Sequence, residues 1–247
     1  MKVVWLGRTA YSEAWLLMKS LHRAVAGGQA EEAALVTEHE PVVTVGKHGR
    51  LNNVLRWDVP VYVVERGGDA TYHGPGQAVV YPILRLRWPL RRYIDALEDA
   101  VVKTLRRYGI EAAGNPSHRG VWVGGRKIAS VGIAVERGVT YHGVAINVSL
   151  DVREFARINP CGLPPSTMIS MKDLGVHADV KEVGIETALN LAHVLGIYAE
   201  VVSKPPEVPP VADRLKPAQP AEDHPNPPTK RQAIISHGSP DAALDTS

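Results

Sequence analysis

The chain has 247 residues, 45% of them hydrophobic and 22% charged, the balance of an ordinary soluble protein of one large or two small domains. Lys plus Arg number 28 and Asp plus Glu 26, a formal charge of +2 that excludes the global basic footprint of a nucleic-acid binder. One cysteine, Cys161, excludes an internal disulfide and any Cys–Cys metal site, and no apolar run nears the roughly 20 residues of a bilayer span.

The first strand signal is VVWLG (3–7), at a start that turns polar too early for a signal peptide, so a reduced cytoplasmic setting without membrane or nucleic-acid partners is expected. Residues 11–28 space Trp15, Leu16, Met18, Leu21 and Val25 at helical intervals and stop at Gly27-Gly28. Strand signals follow at ALVTE (34–38), PVVTVG (41–46), VYVVE (61–65) and AVVYPIL (78–84). A second helix is predicted over 91–108, with Ile94, Leu97, Val101, Val102 and Leu105 on one face and Gly109 as its stop. The strands GVWVGG (120–125), KIASVGIAV (127–135) and YHGVAINVSL (141–150) come next, the last two joined by the short Arg137-Gly138 turn. A third helix is predicted over 179–195. Short hairpins with helices between other strands imply an α+β fold with a mixed, mainly antiparallel sheet. Ten of the 19 prolines fall after residue 204, in a stretch without Trp, Phe or Tyr. The expected organisation is therefore a catalytic domain over 1–203 and a Pro-rich, disordered tail over 204–247.

Three stretches carry chemistry. RGGDATYHGPGQ (66–77) holds four glycines and a proline between two strands, with Arg66, His73 and Gln77 available to line a cavity. Glycine lets backbone amides approach a ligand, although a long turn-rich loop has the same composition. It is no Walker loop, because no Gly-Lys-Ser/Thr closes it. Cys161 sits between Pro160 and Gly162 in INPCGL, a turn rather than a strand or helix. A lone cysteine is either an inert small hydrophobe or a nucleophile, and the second role needs a neighbour that favours the thiolate. Lys127 opens the apolar strand after GGR; it is either an exposed strand-end lysine or an ammonium beside that thiol. The ten histidines show no HExxH arrangement and none is grouped with carboxylates at ligand spacing, so no metal is expected.

RGGDATYHGPGQ, GGRKIASVGIAV, HGVAINVSLD and INPCGL, in this order, resemble the lipoyl(octanoyl) transferases of lipoate synthesis. WLGRTAYSEAW, EHEPVVTVG (38–46) and STMISMKDLG (166–175) fit the same pattern, so the resemblance covers about residues 3–200. It implies the fold of the biotin and lipoate protein ligase catalytic domain. It implies transfer of an octanoyl group from octanoyl-acyl carrier protein to a lysine of lipoyl domains. The acceptors would be 2-oxoacid dehydrogenases and the glycine cleavage H protein, with no cofactor. By the same resemblance Cys161 is the acyl-thioester nucleophile and Lys127 lowers its pKa and moves protons. The acyl pocket is lined by Arg66, Gly67, Gly68, Asp69, Ala70, Thr71, Tyr72 and His73, by Ser130, Val131 and Gly132, and by Gly143, Val144 and Ala145. Two alternatives are an ATP-dependent lipoate or biotin ligase of this fold and a non-catalytic acyl-binding protein. Both protein substrates are expected to be acidic, and the +4 stretch 85–107, with Arg91 and Arg92, is either part of the docking face or simply a solvated helix face.

Overall fold

The structure, a computed structural model, describes residues 1–159 and 164–220. In chain order β1 (Lys2–Thr9) leads into α1 (Tyr11–Ala26), then β2 (Ala33–His39), β3 (Val42–Val45), β4 (Val61–Val63), β5 (Ala70–His73) and β6 (Gln77–Ile83). After α2 (Leu90–Arg107) come β7 (Ala113–Gly114), β8 (Val121–Val123), β9 (Arg126–Glu136), β10 (Val139–Asn147), α3 (Val180–Leu195) and β11 (Glu200–Val202). The three helices match the periodic segments to within two residues. Their ends have local causes: Asp179 caps α3 by accepting from the Glu182 amide at 2.9 Å, and Gly196 ends it at φ 68°. Arg137 (φ 51°) and Gly138 (φ 72°) are both left-handed, the two-residue turn that lets β9 and β10 pair as a hairpin.

The strands form two sheets where the sequence suggested one. The large sheet has the order β11-β1-β2-β6-β10-β9-β8-β7; β1 pairs in parallel with β2 and β11, and every other neighbour is antiparallel. The small sheet is β4-β3-β5. Glu40-Pro41 separates β2 from β3, and a proline with no amide to donate marks where the chain leaves the large sheet. The sheet alternation then sorts the residues into layers. On one face Leu97, Val101 and Leu105 of α2 and Leu191 of α3 pack on Val80, Val144 and Ile146. On the other, Trp15, Met18 and Leu21 of α1 pack on Leu35, Val79 and Tyr81. The small sheet has its own core, where Val43, Val45 and Tyr72 meet Phe155 and Ile158.

The tail differs from expectation over its first part. Residues 204–220 have no regular secondary structure, yet Val208 and Leu215 pack against the α1 core. The Val211 amide donates to Ser20 Oγ at 3.3 Å, Arg23 pairs with Asp213 at 2.7 Å, and the Ala218 amide donates to the Val61 carbonyl at 2.7 Å. An extended proline-rich chain needs no internal hydrogen bonds, so a few spaced aliphatic residues suffice to lay it along a groove. The rest of the tail lies outside the described residues. No described helix is long and apolar enough to cross a membrane.

Candidate active site

A cavity opens between the small sheet and the α1 side of the large sheet. It holds about 680 Å³ of space, its open mouth included. Arg66 through Thr71 and His73 line one side of it. Ser130–Gly132 of β9, Gly143–Ala145 of β10 and Val79 and Tyr81 of β6 line the other.

The Arg-Gly-Gly loop is fixed as a roof by contacts that its residue types dictate. Arg66 Nη2 donates to the carbonyl and hydroxyl of Thr44 at 2.7 and 2.9 Å, which ties the loop to β3. The Gly67 amide donates to the Ile133 carbonyl at 2.9 Å and docks the loop on the edge of β9. Gly68 has φ +81°, and a Cβ on Gly132 would lie 3.0 Å from Arg66 Cδ, so both positions favour glycine. The Asp69 carboxylate accepts from the amides of Ala70 (2.7 Å) and Arg50 (3.2 Å) and from the Asn53 side chain. It is committed to holding the loop.

Lys127 stands at the cavity wall and is only 7% exposed, so the exposed strand-end reading does not hold. Its backbone pairs with Met168, which also lines the cavity, and its carbonyl accepts from the Ile169 amide at 3.1 Å. Its Nζ lies 5.8 Å from the centre of the Trp122 ring. The lysine stem runs past Gly120, where φ is +132° and a Cβ would meet Lys127 Cε at 2.5 Å. That glycine opens the channel for the side chain.

Cys161 lies outside the described residues, as does the rest of 160–163. Its flanks are anchored beside the cavity. The Asn159 amide donates to the Asn53 carbonyl at 2.8 Å, in the loop that holds Asp69, and the Thr167 amide donates to Pro164 at 2.9 Å just before Met168.

The far end of the cavity is a cluster of rings. Tyr11, His73, Tyr81 and His142 face it, with His39 behind Tyr81. Burial holds His39 down at about 4 and His73 at about 3, and lowers His142 as well, so all three imidazoles are neutral near pH 7. Burial alone would raise the Glu65 carboxyl; the hydrogen bond from His142, at 3.2 Å, and others overcome it and hold Glu65 at about 2.

Of the site residues read from the sequence, Arg66–Thr71, His73, Lys127, Ser130–Gly132 and Gly143–Ala145 come together on this cavity. Tyr72 does not. Strand alternation along β5 turns its ring to the opposite face of the small sheet, 6.0 Å from Phe155. Tyr11, Val79, Tyr81, His142 and Met168 were missed, although Tyr11 and His142 lie within WLGRTAYSEAW and HGVAINVSLD. Of the expected docking stretch, α2 packs on the sheet face opposite α1, and its Glu98 accepts from the Gly120 amide at 2.8 Å beside the Lys127 stem. Within that stretch Arg87 pairs with Glu32 and Arg107 with Glu186, at 2.7 and 3.0 Å, whereas Arg91 and Arg92 are exposed.

Residues 10–189 match the family model of the lipoyl protein ligase A/B catalytic domain. The chain belongs to that family. It is 74% identical over 219 residues to a probable octanoyltransferase of Pyrobaculum aerophilum, covering 89% of this chain and 98% of the relative. An octanoyltransferase of Alkalilimnicola ehrlichii is 41% identical over 201 residues, 80% of this chain and 93% of that one. Among solved structures, a lipoate-protein ligase A bound with ATP superimposes with a TM-score of 0.69 at 16% identity, over 82% of this chain and 89% of that one. At that identity the likeness concerns the fold, and it agrees with the ligase-like α+β architecture expected from the motifs.

Proposed function

We propose that the chain is an octanoyltransferase that takes its acyl group from octanoyl-acyl carrier protein, holds it as a thioester on Cys161, and delivers it to a lysine of a lipoyl domain. Octanoyl transfer follows from the family and its curated relatives. The donor, the covalent step and the residue roles are the further content of the proposal. The observation that supports them most is the burial of Lys127 at the cavity wall, bridged to Met168 a few residues beyond Cys161.

The donor is already a thioester, so acyl transfer from it needs no ATP. The Cys161 thiolate attacks the octanoyl carbonyl, and the carrier's pantetheine thiol leaves with a proton from the Lys127 ammonium. Lys127, now neutral, accepts a proton from the incoming lysine amine as that amine attacks the enzyme thioester. The Cys161 thiolate leaves, the octanoyl amide departs, and the pair returns to its starting state. The thiol needs such a partner, since an ordinary thiol is only a few per cent ionised at neutral pH and an adjacent ammonium favours the thiolate. The six methylenes of the chain are worth about 5 kcal/mol when buried, at ~0.8 kcal/mol each, and Val79, Ala145 and Gly132 offer them a narrow apolar wall.

The rival within the fold is an ATP-dependent ligase, which passes through an acyl-adenylate and has no use for a nucleophilic cysteine. Cys161→Ser separates the two. Transfer from octanoyl carrier protein that is lost in Cys161→Ser and indifferent to ATP supports the thioester route. Transfer from free octanoate that requires ATP and survives the substitution overturns it.

A further inference from the structure

The inner end of the cavity is lined by phenol and imidazole rings, beyond a stretch of wall that includes Val79, Gly132 and Ala145. Tyr81 Oη lies 2.7 Å from His39 Nε2, and His73 Nδ1 lies 2.6 Å from Gln77 Oε1. Gln77 in turn donates to Asn147 at 3.0 Å, and His142 donates to Glu65. The rings also pack on one another: Tyr11 and His39 have centroids 5.3 Å apart, His39 and His73 5.8 Å. Each ring is thus held by a hydrogen bond or by its neighbours in a buried setting, where breaking a polar pair is costly.

From this arrangement we infer that the ring cluster is the stop that sets acyl-chain length, with Tyr81, held by His39, as its decisive residue. The inference deepens the acyl-transfer reading above and rests on it. Lys127 and Tyr81 are at opposite ends of the slot. Gly132 lies five residues along β9 from Lys127 and pairs with Gly143 of β10, and Tyr81 lies beyond it on β6. At about 3.3 Å per residue and 4.8 Å per strand, the two Cα atoms are on the order of 19 Å apart. The reach of the lysine and the projection of the tyrosine ring leave on the order of 10 Å, the length of an extended eight-carbon acyl chain with ~1.5 Å bonds.

The cluster penalises longer chains in two ways. A tenth carbon must displace a ring that is hydrogen-bonded in place, and it must press methylenes on polar atoms. Tyr11 and His73 bring polar ring atoms to the cavity lining, and an alkyl chain pushed against them would strip those atoms of solvent without compensation. A shorter chain leaves apolar wall uncovered and forfeits roughly fourfold in binding per missing methylene. Together the two effects make an optimum.

The test is a series of acyl carrier protein thioesters of six, eight, ten and twelve carbons, with kcat/KM for transfer measured for the full-length wild type and Tyr81 variants. The wild type should peak at eight carbons and fall at least tenfold at ten. Tyr81→Ala should raise the ratio of ten- to eight-carbon transfer at least tenfold. Tyr81→Phe keeps the ring and loses the bond to His39, and should raise it a few-fold. A ratio within twofold of wild type in folded Tyr81→Ala overturns the inference. Should that variant fail to fold, Tyr81→Leu, which fills the site without a ring, decides by the same criterion. Melting-temperature shifts with the free six- to twelve-carbon fatty acids read the same length profile without transfer. If transfer fails in the wild type but the fatty-acid profile peaks at eight carbons and lengthens in Tyr81→Ala, the function reading falls and the length stop stands.

Discussion

Gly120 offers a test of the site that lies outside every recognisable motif. In Gly120→Ala the added Cβ would sit 2.4 Å from the Ala129 carbonyl oxygen, 2.5 Å from Lys127 Cε and 3.3 Å from Lys127 Nζ. The first neighbour is backbone of β9 and cannot give way cheaply, so the lysine stem must. The φ of +132° adds strain of about 1–3 kcal/mol for any residue with a Cβ, and overpacking adds about 1–3 more. Destabilisation on the order of 2–6 kcal/mol is a large part of a total that is typically 5–15. A reacting group moved by about 1 Å loses on the order of a hundredfold in rate, so transfer should fall by at least that factor in protein that is still folded. Gly138→Ala is the control: φ is +72° and nothing lies within 4 Å of its Cβ, in a turn remote from the lysine. It should lose about 1 kcal/mol and keep its transfer rate. Urea unfolding and single-turnover acyl transfer on both variants provide the assay. Folded Gly120→Ala with transfer within twofold of wild type would refute the reasoning, as would an equal loss in Gly138→Ala.

Three further outcomes are expected. His39 and His73 are held at about 4 and 3 in the folded chain against about 6.5 unfolded, so their stabilisation is full above pH 6.5 and drains as pH falls toward 4. The unfolding free energy should drop by about 1.4 kcal/mol per pH unit per ring over that window, with Glu65 extending the loss below pH 4.5; a pH-independent urea midpoint from 6.5 to 4 would contradict it. Truncation after Ser203 removes Val208, Leu215 and the Ala218–Val61 hydrogen bond, and should cost about 1–3 kcal/mol in urea unfolding, whereas an unchanged midpoint would show that the strap contributes nothing. Charge reversal of Arg91 and Arg92 should leave transfer at low salt within twofold of wild type, since α2 packs on the sheet face opposite α1. A tenfold slowing would mark that helix as a docking face.

What the sequence made legible was local. Helical spacing with glycine stops located α1, α2 and α3, and the Arg137-Gly138 turn fixed the hairpin that pairs Ser130 with Ala145 across the cavity wall. The motifs named most of the lining because each is a contiguous run. The misses share a cause, namely that they depend on which strand lies beside which. β5 hides in a glycine-rich stretch that composition reads as loop, and only its pairing with β3 turns Tyr72 away from the cavity while His73 faces it. Tyr11, Tyr81 and His142 come from α1, β6 and β10, three elements far apart in the chain, and no spacing rule connects them. Gly120 reads as one glycine among 22 until the Lys127 stem is seen against it. Average composition cannot register two spaced aliphatic residues of the tail, Val208 and Leu215, that pack against the α1 core one at a time.

The central claim is a covalent octanoyl group on one sulfur, promoted by one lysine. Intact-mass analysis of the full chain mixed with octanoyl-acyl carrier protein, without ATP, tests it most directly. A single octanoyl adduct should form, map to Cys161 and be removed by hydroxylamine, and in Lys127→Met it should form at least a hundredfold more slowly. Transfer to a lipoyl domain that proceeds at full rate with no adduct at Cys161, or an adduct that forms equally fast without Lys127, would contradict the account.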